Sequence, residues 1–360
     1  MGVEDLKWLG FSGVCIEACR IIFSGKWLFT KITFALILPL CFISLINNEI
    51  SELIARNIHV SEVLLRKLDL NNPLHDKLAD FIFSKQTAVW IFGVAYTLFV
   101  YMISLLATSA VVYTTSHIYI CKGHIDDEIS FINVMFVIPK VWRRLVITFL
   151  WNVLFVTCFT IWMLLTIVVG LALLHYAQGQ DASSKDDPVG FHYTLLDAFF
   201  GGFMLIIYWI GYLYIIAIWN LASVVTILED VYGIKAMKKA KELIKGKQWV
   251  SYITVVLIYS FLEYFNTMAW DIVKAKYDPA LITTGIVAKL IIGTVCLLLL
   301  LIELLVGLVV QSVLYFVCKS YHSETIDKAS LECCLKAFRE EYVHHERNTK
   351  TLQHKQVDIP

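Results

Sequence analysis

Residues 298–310 read LLLLIELLVGLVV, a carboxylate deep inside an apolar run that extends from about residue 281 to 317 and carries one other charged residue, Lys289. A run this long has few folded destinations. Crossing a bilayer core of roughly 30 Å takes about 20 residues, and at 1.5 Å per residue the whole run reaches roughly 55 Å, so it is predicted to span and project beyond the bilayer. Five more apolar runs follow the same logic, at residues 28–46, 88–117, 145–174, 195–227 and 250–269. The fold expected is all-α: a polytopic six-helix transmembrane bundle over residues 1–320, with cytosolic-side amphipathic interfacial helices and a cytosolic tail over 321–360. Composition agrees, since 58% of residues are apolar and 17% charged, against about 45–50% and about 25% in soluble domains. The formal net charge is zero, which gives no reason to expect a nucleic-acid partner.

Between the spans the sequence predicts interruptions. Pro39 is expected to kink the first span. Residues 46–85 are too charged to span and are predicted to form surface helices broken at Asn72–Pro73. A short apolar helix over 131–138 should end near Pro139, and the polar stretch 178–188 should be a loop. The tail is predicted to carry one amphipathic helix over 325–342, striped by Leu331, Leu335, Phe338 and Tyr342, followed by a disordered end.

The most strongly patterned polar segment is EDVYGIKAMKKAKELIKGKQW, residues 229–249. At helical spacing, Ala236, Met237, Ala240, Leu243 and Ile244 share one arc, and Lys235, Lys238, Lys239, Lys241, Glu242 and Lys245 share the other. Gly246 stands where a helix ends in the left-handed conformation, and Lys247 and Trp249 lead into the next apolar run. The segment is predicted to be a basic helix lying on the membrane surface and turned by glycine into a span.

A similar lead-in precedes each odd-numbered span: SGKWLFTKITFAL at 24–36, PKVWRRLVITFLW at 139–151 and, from this same segment, KGKQWVSYITVVL at 245–257. Each is entered through Ile-Thr (Ile32-Thr33, Ile147-Thr148, Ile253-Thr254), at near-equal separations, which predicts three parallel pseudo-repeats. Six spans put both termini on one side. Lysine and arginine are concentrated there, around Lys26, Arg143, Arg144 and Lys235 to Lys247, whereas the opposite loops carry few, so both termini are predicted to face the cytosol. Insertion through the endoplasmic reticulum is expected, with final residence there, in another endomembrane or in the plasma membrane.

LGFSGVCIEACRIIFSGKWLFTKITFALILPL (9–40), LATSAVVYTTSHIY (106–119) and VGLVVQSVLYFVCKSYHSETIDKASL (306–331) resemble a plant multi-pass transmembrane protein family of uncharacterised function. The 229–249 element is distantly similar to the cytosolic element in the six-span membrane domain of bacterial glycerophosphodiester phosphodiesterases. The resemblance implies the six-span fold and a plant source, and implies no reaction, because the phosphodiesterase catalytic domain has no counterpart here.

Candidate sites follow from charge in unusual places. A membrane-surface collar is predicted from Lys26, Trp27, Trp142, Arg143, Arg144, Lys235, Lys238, Lys239, Lys241, Lys245, Lys247 and Trp249, directed at anionic lipid headgroups or membrane-protein partners. An intramembrane polar site is predicted around Glu303 and Lys289, with Asn152, Asn220 and Gln311 as neighbours able to hydrogen-bond a carboxyl that hydrocarbon would otherwise force to be neutral. Glu263, Asn266 and Asp271 form a lesser polar cluster near the far end of the fifth span. His117, His124, Asp126, Asp127 and Glu128 have metal-capable side chains, but an exposed loop accounts for them, and no catalytic, metal or cofactor motif occurs. The nine cysteines lack zinc-type spacing; Cys15, Cys19, Cys333 and Cys334 lie on amphipathic segments where palmitoylation is feasible. The function expected is a non-enzymatic endomembrane organiser associating with lipid or protein through the collar. Alternatives are a small-solute or ion transporter using Glu303, then a lipid-headgroup enzyme.

Overall fold

The computed structural model describes residues 9–67, 73–120, 131–181, 189–229, 231–275 and 286–322. Every element among them is helical: α1 (Phe11–Ser24), α2 (Lys26–Ile32), a π-helical turn (Thr33–Ile37), α3 (Leu38–Lys67), α4 (Pro73–Ile120), α5 (Phe131–Asp181), α6 (Val189–Leu228), α7 (Ile234–Ile244), α8 (Gln248–Ala275) and α9 (Ile286–Tyr321). Five stretches are long and apolar enough to cross a membrane: Lys26–Leu65, Asp80–Tyr119, Val141–Leu173, Phe199–Leu228 and Gly293–Tyr321. They cover five of the six expected spans, and the chain is a multi-pass helical membrane protein. The remaining one, 250–269, lies within α8 but is less apolar, because Glu263, Asn266, Tyr252, Tyr259 and Tyr264 dilute it.

Two expected interruptions are absent. The first span does not stop at residue 46: α3 is one helix from Leu38 to Lys67. Between Cys41 and Lys67 there is no glycine or proline, and polar side chains alone do not break intrahelical hydrogen bonds. Likewise Pro139 lies inside α5 rather than ending a helix. It is exposed, while Val134, Val141 and Leu145 on either side are buried, so packing of the flanking turns offsets the one lost hydrogen bond. At Pro39 the backbone responds differently: the π-helical turn precedes it, and the Leu38 N–H reaches back to the Thr33 carbonyl, the longer register that π segments use. Proline starts α4 at Pro73, where its missing N–H leaves no partner unsatisfied. Of the predicted 178–188 loop, residues 178–181 are the end of α5. The rest of it, the 121–130 loop with its acidic and histidine residues, the tail helix 325–342, Cys333 and Cys334 lie outside the described residues.

The chain divides into two compact units. Among the described residues, one comprises those of Ser12–Trp142 and Leu257–Val313. Its core gathers Ile37, Cys41, Ala107, Leu300 and Leu301, with Leu262, Phe265, Leu297, Leu304 and Leu305 against them. The 106–119 segment of α4 contributes buried small residues, among them Ala107, Ala110, Thr114, Thr115 and Ser116, which let helices approach closely. Thr108 and Ser116 donate back to the carbonyls of Ser104 and Val112, satisfying their hydroxyls on their own helix. α1 buries Val14, Glu17, Ala18 and Ile21, a helical stripe, and Arg20 pairs with Glu17 at 2.9 Å.

The other unit comprises the described residues of 9–11, Arg143–Val256 and 314–322. Tyr208 stacks between Phe159 and Tyr212 at 5.8 and 5.9 Å, and Ile216, Ala217 and Val255 form an apolar cluster. Within it α7 is seated on α6.

Candidate functional site

The link between α6 and α7 is fastened from two sides. Glu229, the first residue past α6, accepts a hydrogen bond from the Tyr315 hydroxyl at 2.6 Å and from Lys319 Nζ at 3.0 Å on the same oxygen. Its second oxygen pairs with Lys239 at 2.5 Å. Tyr315 and Lys319 are one turn apart on α9, with Lys319 Nζ 3.2 Å from the Tyr315 oxygen, so one helix face presents both donors. Burial pushes the Glu229 carboxyl up, but hydrogen bonds from Lys239, Tyr315 and Lys319 outweigh it and hold the group below its ordinary range. On the other side, Gly233 N–H donates to Thr148 Oγ1 at 2.8 Å, and Thr148 and Thr226 hydroxyls meet at 3.1 Å. Thr226 also donates to the Ala222 carbonyl. Gly233 has φ +65°, a conformation glycine adopts without cost.

With its start held, α7 turns its apolar arc inward: Ala236, Ala240, Leu243 and Ile244 are all buried. Lys235, Lys238, Lys241 and Lys245 are exposed. Its end is held too. Gly246 has φ +92°, the left-handed termination predicted from the sequence, and a Cβ there would run into the Tyr321 ring. His322 Nε2 lies 2.8 Å from the Lys245 carbonyl and 3.2 Å from that of Leu243. Carbonyls only accept, so Nε2 carries the proton. Lys247 sits 5.6 Å from the centre of the Tyr321 ring, with its ammonium 3.4 Å from the Leu9 carbonyl. Outside this frame is an open recess of about 640 Å3 lined by Val231, Lys235, Lys238, Lys239, Glu242, Leu243, Lys245 and His322.

The family described as Domain of unknown function (DUF8558) matches residues 1–357. The chain belongs to that family. No curated protein and no solved structure matches it.

In this DUF8558 chain the predicted collar residues fall into two groups. Lys235, Lys238, Lys241, Lys245, Arg143 and Lys26 are exposed, as are Trp27 and Trp249. Lys239 is instead directed to Glu229 and Lys247 to Tyr321 and Leu9. Trp142 and Arg144 are half-buried, and the Trp142 indole N–H has no hydrogen-bond partner among the described residues. The three lead-ins also differ in form, since α5 runs unbroken through the second while glycines separate helices in the first and third.

The intramembrane set is less converged. Both carboxyl oxygens of Glu303 are buried and without a hydrogen-bond partner among the described residues, and so is Asn152 Oδ1. The expected bond from Glu303 to Asn152, Asn220 or Gln311 is therefore absent. Glu303 and Gln311 belong to one compact unit and Asn152 and Asn220 to the other. Lys289 lies on α9, but its side chain is outside the described residues, as is that of Asp271; Glu263 is exposed. No group of three metal-capable side chains gathers among the described residues, and the six described cysteines are free thiols.

Sequence reasoning passed over Glu229, Tyr315, Lys319 and His322 as working residues. The available signal was a carboxylate at the boundary between an apolar run and a basic helix, and a Tyr-Lys pair at helical spacing near the end of another span.

Proposed function

We propose that this chain is a six-span, non-enzymatic membrane protein that associates with anionic lipid or with partner membrane proteins through a cationic collar on its cytosolic side. The observation that carries this reading is the outward face of α7, where Lys235, Lys238, Lys241 and Lys245 are exposed and no ion pair joins them to a described residue. Each basic residue near an anionic surface contributes about 1 kcal/mol. Trp249, 80% exposed just past the Gly246 turn, suits the headgroup layer, where indoles prefer to sit.

In this reading α8 is the fifth of six spans, with the exposed Glu263 and Tyr264 toward its far end, where polar and aromatic side chains meet the headgroup layer. Both termini are then cytosolic, and the resident membrane is the endoplasmic reticulum, another endomembrane or the plasma membrane of a plant cell. The three lead-ins count as pseudo-repeats. The equivalence is supported by Thr33, Thr148 and Thr254, whose hydroxyl oxygen or whole side chain is buried in each case. The test is charge reversal of Lys235, Lys238, Lys241 and Lys245 to Glu in the full chain, with lipids and proteins co-purified afterwards. Loss of anionic lipid or of specific partners is expected; an unchanged profile overturns the reading.

A second reading, a transporter of small solutes or ions, is favoured by Glu303, whose buried carboxyl oxygens have no hydrogen-bond partner among the described residues and which follows Leu300 and Leu301 of the apolar core on the same helix. Ionisable groups at such depth mark transport sites more often than they occur by chance. Uptake into reconstituted vesicles abolished by Glu303→Gln would establish it; no uptake across a broad solute panel would reject it.

A further inference from the structure

We propose that the recess beside α7 is a binding site for the phosphomonoester headgroup of a membrane lipid, held by Lys235, Lys238 and Lys245. The proposal rests on the collar reading and deepens it, from a diffuse cationic surface to a shaped site.

Charge selects the ligand class. Four lysines line the recess, but Lys239 is turned away to Glu229, which it shares with Lys319, and Glu242 offsets one of the remaining three. Roughly two positive charges are left uncompensated, which a phosphomonoester matches because it carries about −1.5 to −2 at neutral pH. A phosphodiester headgroup carries one negative charge and would leave the recess under-neutralised. Ammonium groups one helical turn apart, Lys235 and Lys238, with Lys245 at the other end of α7, can approach a tetrahedral phosphate from separate directions.

The recess is also prearranged. The backbone that carries Lys245 is fixed by the His322 hydrogen bond of 2.8 Å and by the glycine turn at φ +92°. Glu229 draws Lys239 inward, so the innermost lysine shapes the wall instead of competing for the ligand. Holding the cations in place beforehand lowers the ordering cost of binding. A volume of about 640 Å3 has room for more than a bare phosphate. The source is membrane-borne: Trp249, beyond the turn, is 80% exposed and sets this end of α7 at headgroup depth.

The full chain is placed in nanodiscs of phosphatidylcholine containing a minor fraction of either phosphatidic acid, a phosphomonoester, or phosphatidylserine, which has none. Lipid retained on the released protein is read by native mass spectrometry. Wild-type protein is expected to retain phosphatidic acid in preference to phosphatidylserine. Replacing Lys235, Lys238 and Lys245 together by alanine should reduce that retention about tenfold or more, whereas arginine at the same positions, which keeps charge and fold, should preserve it. Alanine at Lys26, Lys31 and Lys241 removes the same charge outside the recess; as Lys26 and Lys241 belong to the collar, retention of both anionic lipids should fall alike, with the preference for phosphatidic acid kept. Loss of that preference in the control overturns the recess while leaving the collar reading standing. No enrichment of either anionic lipid overturns both. Displacement of phosphatidic acid by equimolar glycerol phosphate would overturn the membrane source and assign the site to a soluble phosphate ester.

Discussion

α1 and α7 are both short amphipathic helices ahead of a span, yet they present opposite faces outward. α1 buries Val14, Glu17, Ala18 and Ile21 and leaves Ile16 and Phe23 exposed. Trp27 and Phe34 continue that exposed apolar line at helical spacing into the first span. α7 buries Ala236, Ala240, Leu243 and Ile244 and exposes Lys235, Lys238 and Lys241. An exposed apolar stripe belongs in hydrocarbon or the acyl–headgroup boundary, and an exposed cationic stripe belongs in water or against headgroups. In the proposed reading α1 therefore meets the membrane by insertion, and α7 by charge. The difference is set by what covers the other side: α7 is clamped onto protein by Glu229, Thr148 and His322, and needs no lipid to bury its apolar face.

The sharpest way to break the contrast is to release that clamp. Glu229→Gln removes the partner of Lys239 and Lys319, which are 33% and 16% exposed. Because water still reaches both lysines, the cost is about 2 kcal/mol and not the larger figure of a sealed pair. The pH dependence has a definite sign. The folded carboxyl is held below its ordinary range, so its contribution is complete above the unfolded glutamate value of about 4.3 and is lost as pH falls through the lower folded value. Thermal unfolding followed by tryptophan fluorescence should show a lower midpoint for the variant at neutral pH and a flatter acid limb; parallel acid limbs would show that Glu229 does not carry the effect.

Next in size is the turn. Gly246→Ala forces a Cβ into a left-handed backbone and toward Tyr321, costing roughly 1–3 kcal/mol. Loosening should concentrate at α7 and the start of α8, read as faster amide hydrogen exchange there, with α1 unchanged. Equal acceleration in α1 would mean that the two lead-ins are not separately held.

These cases show what the sequence could and could not convey. Apolar length marked five spans, and the Lys-Gly-Lys-Gln-Trp run marked the end of α7, because both are local properties of consecutive residues. The helix in 229–249 was legible; its orientation was not. An amphipathic pattern states that one face seeks apolar surroundings but does not distinguish lipid from α6. Glu229 was opaque for a related reason, since Tyr315 and Lys319 lie 86 and 90 residues away. The continuity of α3 and α5 is not legible locally, because charge and proline suggest breaks that the folded helices do not make. A helix leaving a bilayer keeps its own hydrogen bonds, and an exposed proline forfeits only one of them.

The smallest expected effects separate insertion from charge directly. Replacing Phe23 and Trp27 by serine removes exposed apolar surface from α1, and each loss should weaken its seating in the bilayer by about 1–2 kcal/mol. That loss should not depend on salt, because burial of apolar surface is not screened. Lys241→Ala on α7 should leave stability within about 0.5 kcal/mol, as for other surface substitutions. Its effect on anionic-lipid association, at most about 1 kcal/mol, should fade as added salt shortens the Debye length from about 10 Å toward 3 Å. Parallax quenching of site-attached fluorophores, at low and high salt, reads both depths in one experiment. If α1 rose from the membrane with salt, or α7 ignored it, the assignment of insertion to one helix and charge to the other would be reversed.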